Sequence, residues 1–295
     1  MSHFITAVIT KDPYNFEEEL APYQENNMGD CPKQFLEFVD HTEEFRKNWQ
    51  EGTTEKVKLP NGEYISRWDD RLKVYITKEE YEKLEEQRGT SCGRSGWGTG
   101  NETYYKYDVG VVNGVIEEVP YKNIYPTLEE YVEECEGKGL WDDEKKAYGY
   151  WENPNAKWDS YGLCRAGTYG RWQNSPIDQA FVKVRDYQLY ADKEKLIKEY
   201  NDALEEVKTG KTPRIFFQLK YGKYKDAEDY ANKNRITAPW SFVLDKHWAE
   251  RGQMGWWAMS DATDESEDAF VKLFEKVMTD PKYQDYYIGF VNCHI

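Results

Sequence analysis

His3-Phe4-Ile5-Thr6-Ala7-Val8-Ile9-Thr10 alternates and is rich in β-branched residues, a pattern that predicts a β-strand ended by Asp12-Pro13. Residues 286–295, Tyr-Tyr-Ile-Gly-Phe-Val-Asn-Cys-His-Ile, read as a last strand. Strands at both termini with few long helices between them predict an α+β fold: one mixed, largely antiparallel sheet with flanking helices. The clearest helices are 191–208, with Leu196, Ile197, Tyr200 and Leu204 on one face and Gly210 as terminator, and 265–278. A short acidic helix is expected at 16–20, stopped near Pro22, and a strand followed by a helix within 33–50. Residues 178–185, 214–219 and 238–244 read as strands or extended segments, and 220–234 as a charged, Tyr-rich loop with one helix.

Residues 42–147 look like an irregular, acidic insertion within a single domain spanning 1–295. Inside it, Leu59-Pro60-Asn61-Gly62 signals a turn between extended segments. Thr77 with Glu80 has the spacing of a capping box, and Thr127 is the expected cap of a helix running to about Glu136. Asn113-Gly114 between apolar runs predicts a hairpin. The glycine-rich 89–101 stretch reads as a flexible loop. No Gly-Lys-Ser/Thr follows it, so it is not a phosphate-binding P-loop.

The chain of 295 residues carries 55 acidic side chains against 39 Lys and Arg, a formal net charge of −16. That charge would repel duplex nucleic acid, whose binders gain affinity by neutralising phosphates. It does not forbid a local pocket for one small nucleotide. Aromatics reach 16%, enough for a sizeable core even though hydrophobic residues total only 39%. No apolar run approaches the roughly 18 residues of a membrane span. The expected location is a cytosol, with the five widely spaced cysteines reduced. No zinc-type Cys or His spacing is present, so neither metal nor cofactor is expected.

Residues 148–172 are the richest in candidate chemistry. Tyr148, Tyr150, Trp151, Trp158, Tyr161, Tyr169 and Trp172 mix there with turn formers, Arg165 and Arg171. No regular helix or strand pattern is evident in that mixture. Trp158, Arg165, Arg171 and Trp172 suit a nucleotide pocket, indole stacking on a base and guanidinium pairing with phosphate. The alternative is that the tryptophans are core and the arginines bond to their own chain. Tyr161 belongs to the same candidate set, and Trp256-Trp257 would close the pocket from another segment. Asn153-Pro154-Asn155 reads as a turn shaping the loop. The loop bearing Arg94 and Trp97 is a further candidate cover. For catalysis, Cys164 near Asp159 and Cys293 beside His294 are the only nucleophile candidates. A convergence of Asp159, Asp178, Asp186 and His294 would be needed for metal-dependent phosphodiester chemistry. No catalytic set is expected.

Three segments together resemble a family of uncharacterised proteins encoded by bacteriophages and bacterial mobile elements. They are Phe4–Thr10 with Leu20–Asn26; Asn153-Pro-Asn-Ala-Lys-Trp-Asp159 running on to Gly170-Arg-Trp172; and Glu250–Trp257 together with Asn292-Cys-His-Ile295. This chain departs from the family pattern at Ser160, where a Trp is usual, and in the longer stretch Leu163–Tyr169. The resemblance implies a phage context in a host cytosol and no settled activity. Together with the aromatic and arginine-bearing loop and the lack of a catalytic set, that context makes binding the expected function: a homo-oligomeric sponge that sequesters a small nucleotide immune signal. Alternatives are an enzyme that degrades such a signal and an acidic protein that inhibits a host defence factor. A virion structural role is also open.

Overall fold

The computed structural model describes residues 3–87, 92–96, 98, 100–165, 175–255 and 259–295. The chain divides into two compact units, one formed by residues 1–37 with 151–295 and the other by 38–150. The fold is α+β.

In the first unit the strands are β1 (His3–Thr10), β2 (Ser160–Leu163), β3 (Val182–Lys183), β4 (Ser241–Leu244), β5 (His247–Glu250) and β6 (Tyr287–His294). They form a six-stranded sheet in the order β2-β6-β1-β4-β5, with β3 also on β6. β1 and β4 run parallel; the other pairs are antiparallel. The two terminal strands are the centre: β1 and β6 pair from His3↔His294 to Thr10↔Tyr287. Their near-continuous burial explains the mostly apolar sequences. One face, with Val8, Val291 and Cys293, packs on Phe16, Leu20 and Trp158. The other, with Ala7, Ile9 and Phe290, packs on the helix Asp264–Thr279 through Phe270 and Phe274. Gly289 in β6 has a steric cause, because a Cβ there would stand 2.4 Å from the Phe181 ring.

Four local expectations are corrected. Residues 214–219 are not a strand; Arg214–Tyr221 is a helix behind Pro213, with Phe217 and Tyr221 packed on Tyr200 of the helix Lys193–Lys208. The four-residue spacing of those two rings is helical, which the run Ile215-Phe216-Phe217 conceals. Residues 178–185 hold the helix Ile177–Ala180 and only a two-residue strand. Asn113 sits in the left-handed region (φ 50°), but it ends the short 3-10 helix Val109–Val112. The flanking strands Thr103–Tyr107 and Val115–Pro120 pair with different partners, so no hairpin forms. Asn-Gly provides positive φ equally well to a helix end and to a tight hairpin. The glycine-rich stretch contains a strand, Cys92–Ser95, that carries Arg94 and pairs with Thr103–Tyr107. Trp97 lies outside the described residues.

The second unit contains three small sheets and the helix Thr42–Glu51. The expected capping box forms between Thr77 and Glu80, and Thr127, the expected cap, forms a capping box as well, with Glu130. Among the described residues, no helix is long and apolar enough to cross a membrane.

Candidate functional site

The loop between Asn153 and Ser160 is held to the first unit by hydrogen bonds that its sequence encodes. Asn153 is buried; its Nδ2 donates to the carbonyls of Pro22 and Gln24, both at 2.9 Å, and its Oδ1 accepts from Asn155 N at 2.9 Å. Asn-Pro-Asn is thus a side-chain-stabilised turn. Backbone bonds continue the attachment, from Lys157 N to Tyr23 O (2.8 Å) and from Glu25 N to Trp158 O (2.7 Å). The segment then enters β2, with Ser160 opposite His294 and Tyr161 opposite Cys293. Regular structure therefore reaches further into residues 148–172 than the sequence pattern suggests, with strands at Ala147–Glu152 and Ser160–Leu163.

Trp158 is 5% exposed, donates its indole N–H to Leu20 O at 3.3 Å and meets Tyr161 edge-on at 5.3 Å. This burial favours the alternative reading of Trp158, an indole packed in the core, although the residue also contributes to the walls of both clefts described below. Tyr161 is half-buried and hydrogen-bonds to Glu17. Burial, followed by that carboxylate, pushes its hydroxyl pKa far up. Arg165 is exposed at the end of the described segment. Tyr169, Arg171, Trp172, Trp256 and Trp257 lie outside the described residues.

Two clefts flank the loop. One, of about 330 Å³, is lined by Glu25, Asn27, Lys157, Trp158, Asp159 and His294. The other, of about 380 Å³, is lined by Glu17, Gln24, Asp30, Asp159, Ser160 and Tyr161, among others. Asp159 is common to both. Its Oδ1 lies 2.6 Å from His294 Nδ1 and accepts from Ser160 Oγ at 2.9 Å. Burial acts to raise the Asp159 pKa, but the hydrogen bonds from His294 and Ser160 outweigh it and hold the carboxyl below its ordinary value. Lys157, the one lysine or arginine among the described lining residues of either cleft, bonds to Glu250 at 2.8 Å. Glu250 in turn accepts from Trp248 Nε1 at 2.9 Å. The described walls are therefore carboxylate-rich, and their field disfavours an anion.

Glu25 records that crowding. Burial first, then the charges of Asp159 and Glu152, push its pKa up, with His294 acting the other way. A carboxyl whose folded pKa exceeds its unfolded value loses stability as pH rises through that interval, and the penalty is complete at neutral pH. Glu25→Gln is therefore expected to stabilise the protein at pH 7, with the gain shrinking as pH falls through the folded value and gone below the unfolded value of about 4.3. Urea unfolding at the two pH values reads the difference.

The candidate nucleophiles are closed off. Cys164 and Cys293 are both fully buried. Burial pushes the Cys293 thiol up to about 12, and its hydrogen bond with Thr6 only partly opposes this. Cys293 and His294, adjacent on β6, face opposite sides of the sheet. His294 Nε2 is buried without a hydrogen-bond partner among the described residues. The Asp159–His294 pair therefore clamps the start of β2 to β6, and the buried Nε2 keeps the imidazole from serving as a base in either cleft. Thiol-labelling of the native protein should modify exposed Cys135 and spare Cys164 and Cys293 until denaturant is added, as peptide mapping would show. Asp159 and His294 do meet, as a metal-dependent phosphodiesterase would need. Asp178 and Asp186 do not hydrogen-bond with them, and no cluster of three or more His, Cys, Asp or Glu suited to a metal ion occurs among the described residues. The Asp159–His294 contact had only a weak signal in the sequence: a carboxylate and an imidazole, each at the end of a strand.

The chain matches no protein-family model, no curated protein and no solved structure.

Proposed function

We propose that the protein acts by capturing a small ligand, without turnover, in the clefts on either side of Trp158–Asp159. The ligand meets the walls through positive charge or through N–H and O–H donors. The observation that carries this reading is the shared Asp159 carboxylate, held ionised between two concavities that also present Glu25, Glu17 and Asp30. The inaccessible thiols favour binding over covalent catalysis. Within the anti-defence role that the phage-family resemblance suggests, the captured signal would be recognised by its nucleobase and sugar more than by its phosphates.

The test is thermal unfolding of the full chain against matched compounds: nucleosides, their phosphorylated forms and polyamines. A ligand at one hundred times its Kd adds about 2.7 kcal/mol of stability, hence a Tm rise of several degrees. Nucleosides or amines should raise Tm and phosphorylation should weaken the effect. Chromatography after denaturation should return the compound intact. A Tm rise that requires phosphate, or recovery of cleaved products, would overturn the proposal.

A further inference from the structure

A separate pocket of about 340 Å³ lies within the second unit, where Glu129, Val132, Glu133 and Leu140 face Trp141 and Tyr148. Trp141 and Tyr148 are directly opposed in an antiparallel pair, so their side chains project from one face of it. Their rings meet at 4.9 Å and 64°, and Trp141 is 45% exposed. The indole N–H donates to Asp143 Oδ1 at 3.2 Å, which fixes the ring's orientation. Opposite stand Glu129 and Glu133, four residues apart where the helix Leu128–Tyr131 passes into a π-helical turn, Val132–Glu136. Among the described residues neither carboxylate has an ion pair or hydrogen bond. Burial, followed by the charges of Glu129 and Glu133, raises the Tyr148 hydroxyl pKa, so the carboxylates act on that ring. Aromatic faces are electron-rich and attract cations, and the neighbouring carboxylates add to that attraction. The volume matches small-molecule sites.

We propose that this pocket binds an alkylammonium group, cradled by the Trp141 and Tyr148 rings and neutralised by Glu129 and Glu133. The group comes either from a free quaternary amine or from a methylated lysine side chain. The site is independent of the clefts in the first unit.

Titration calorimetry on the full chain tests it, with choline, an acetylated trimethyllysine amide, and 3,3-dimethyl-1-butanol as the uncharged isostere of choline. The cations should bind at least about tenfold more tightly than the alcohol. Trp141→Leu, which keeps apolar bulk but removes the aromatic face, should weaken cation binding roughly tenfold. Glu133→Gln, at an exposed position, should weaken it and flatten its salt dependence. Asp159→Asn should leave it unchanged. Preference for choline or for the lysine derivative identifies the source, and either supports the proposal. Absence of binding by both cations at about 10 mM, equal binding of the alcohol, or unchanged affinity in a folded Glu133→Gln protein would overturn it.

Discussion

Trp158→Ala is expected to lower the unfolding free energy by about 3–5 kcal/mol, the range for deleting a large buried aromatic. The indole contributes to the core that includes Phe16, Leu20, Phe181 and Cys293, and its N–H satisfies Leu20 O. Alanine would leave a cavity, forfeit the edge-to-face contact with Tyr161 and leave that carbonyl without its donor. At roughly 2–4 °C per kcal/mol for a domain of this size class, Tm should fall by about 10 °C. Circular dichroism melts measure this without any ligand. A variant with unchanged Tm that loses only ligand binding would make the indole an open platform and refute its place in the core.

Asp159→Ala is expected to cost about 1.5–3 kcal/mol at neutral pH, because it removes a charge-assisted hydrogen bond and strands a buried imidazole nitrogen. His294 already has Nε2 without a partner, so the variant would leave neither ring nitrogen bonded by Asp159 or by any alternative seen in the described structure. The pH dependence has a definite sign. The folded pKa of Asp159 is depressed, so its contribution is complete above the unfolded value of about 3.9 and is lost as pH falls through the folded value. Asp159→Asn keeps an acceptor oxygen but cannot titrate. Wild type should exceed it in stability at pH 7, and the gap should close in strong acid. Urea unfolding from pH 7 down to pH 2 decides the matter; a gap independent of pH would remove Asp159 ionisation from the account.

The elements legible in the sequence are those whose signal is local. The alternation of His3–Thr10, the apolar face of residues 193–208 and the Thr77–Glu80 spacing each specify their own structure within a few residues. Arg214–Tyr221 was not legible as a helix, because Ile215, Phe216 and Leu219 are exposed there and blur the stripe made by Phe217 and Tyr221. The site shows the same division. Asn153-Pro-Asn announces its turn from composition alone, since Asn side chains cap their own backbone. Trp158 could have been platform or core on sequence grounds; the cover provided by Leu20, Tyr161 and Phe16 makes it core.

The sequence by itself determined the α+β class, the two terminal strands, the principal helices and a net charge that opposes polyanions. Only the tertiary structure decided that the terminal strands are partners, that Asp159 meets His294 across 135 positions of chain, and that carboxylates rather than arginines line the described clefts. The physical reason is range. Propensity and capping act over a handful of residues, whereas strand register sets which distant side chains share a wall.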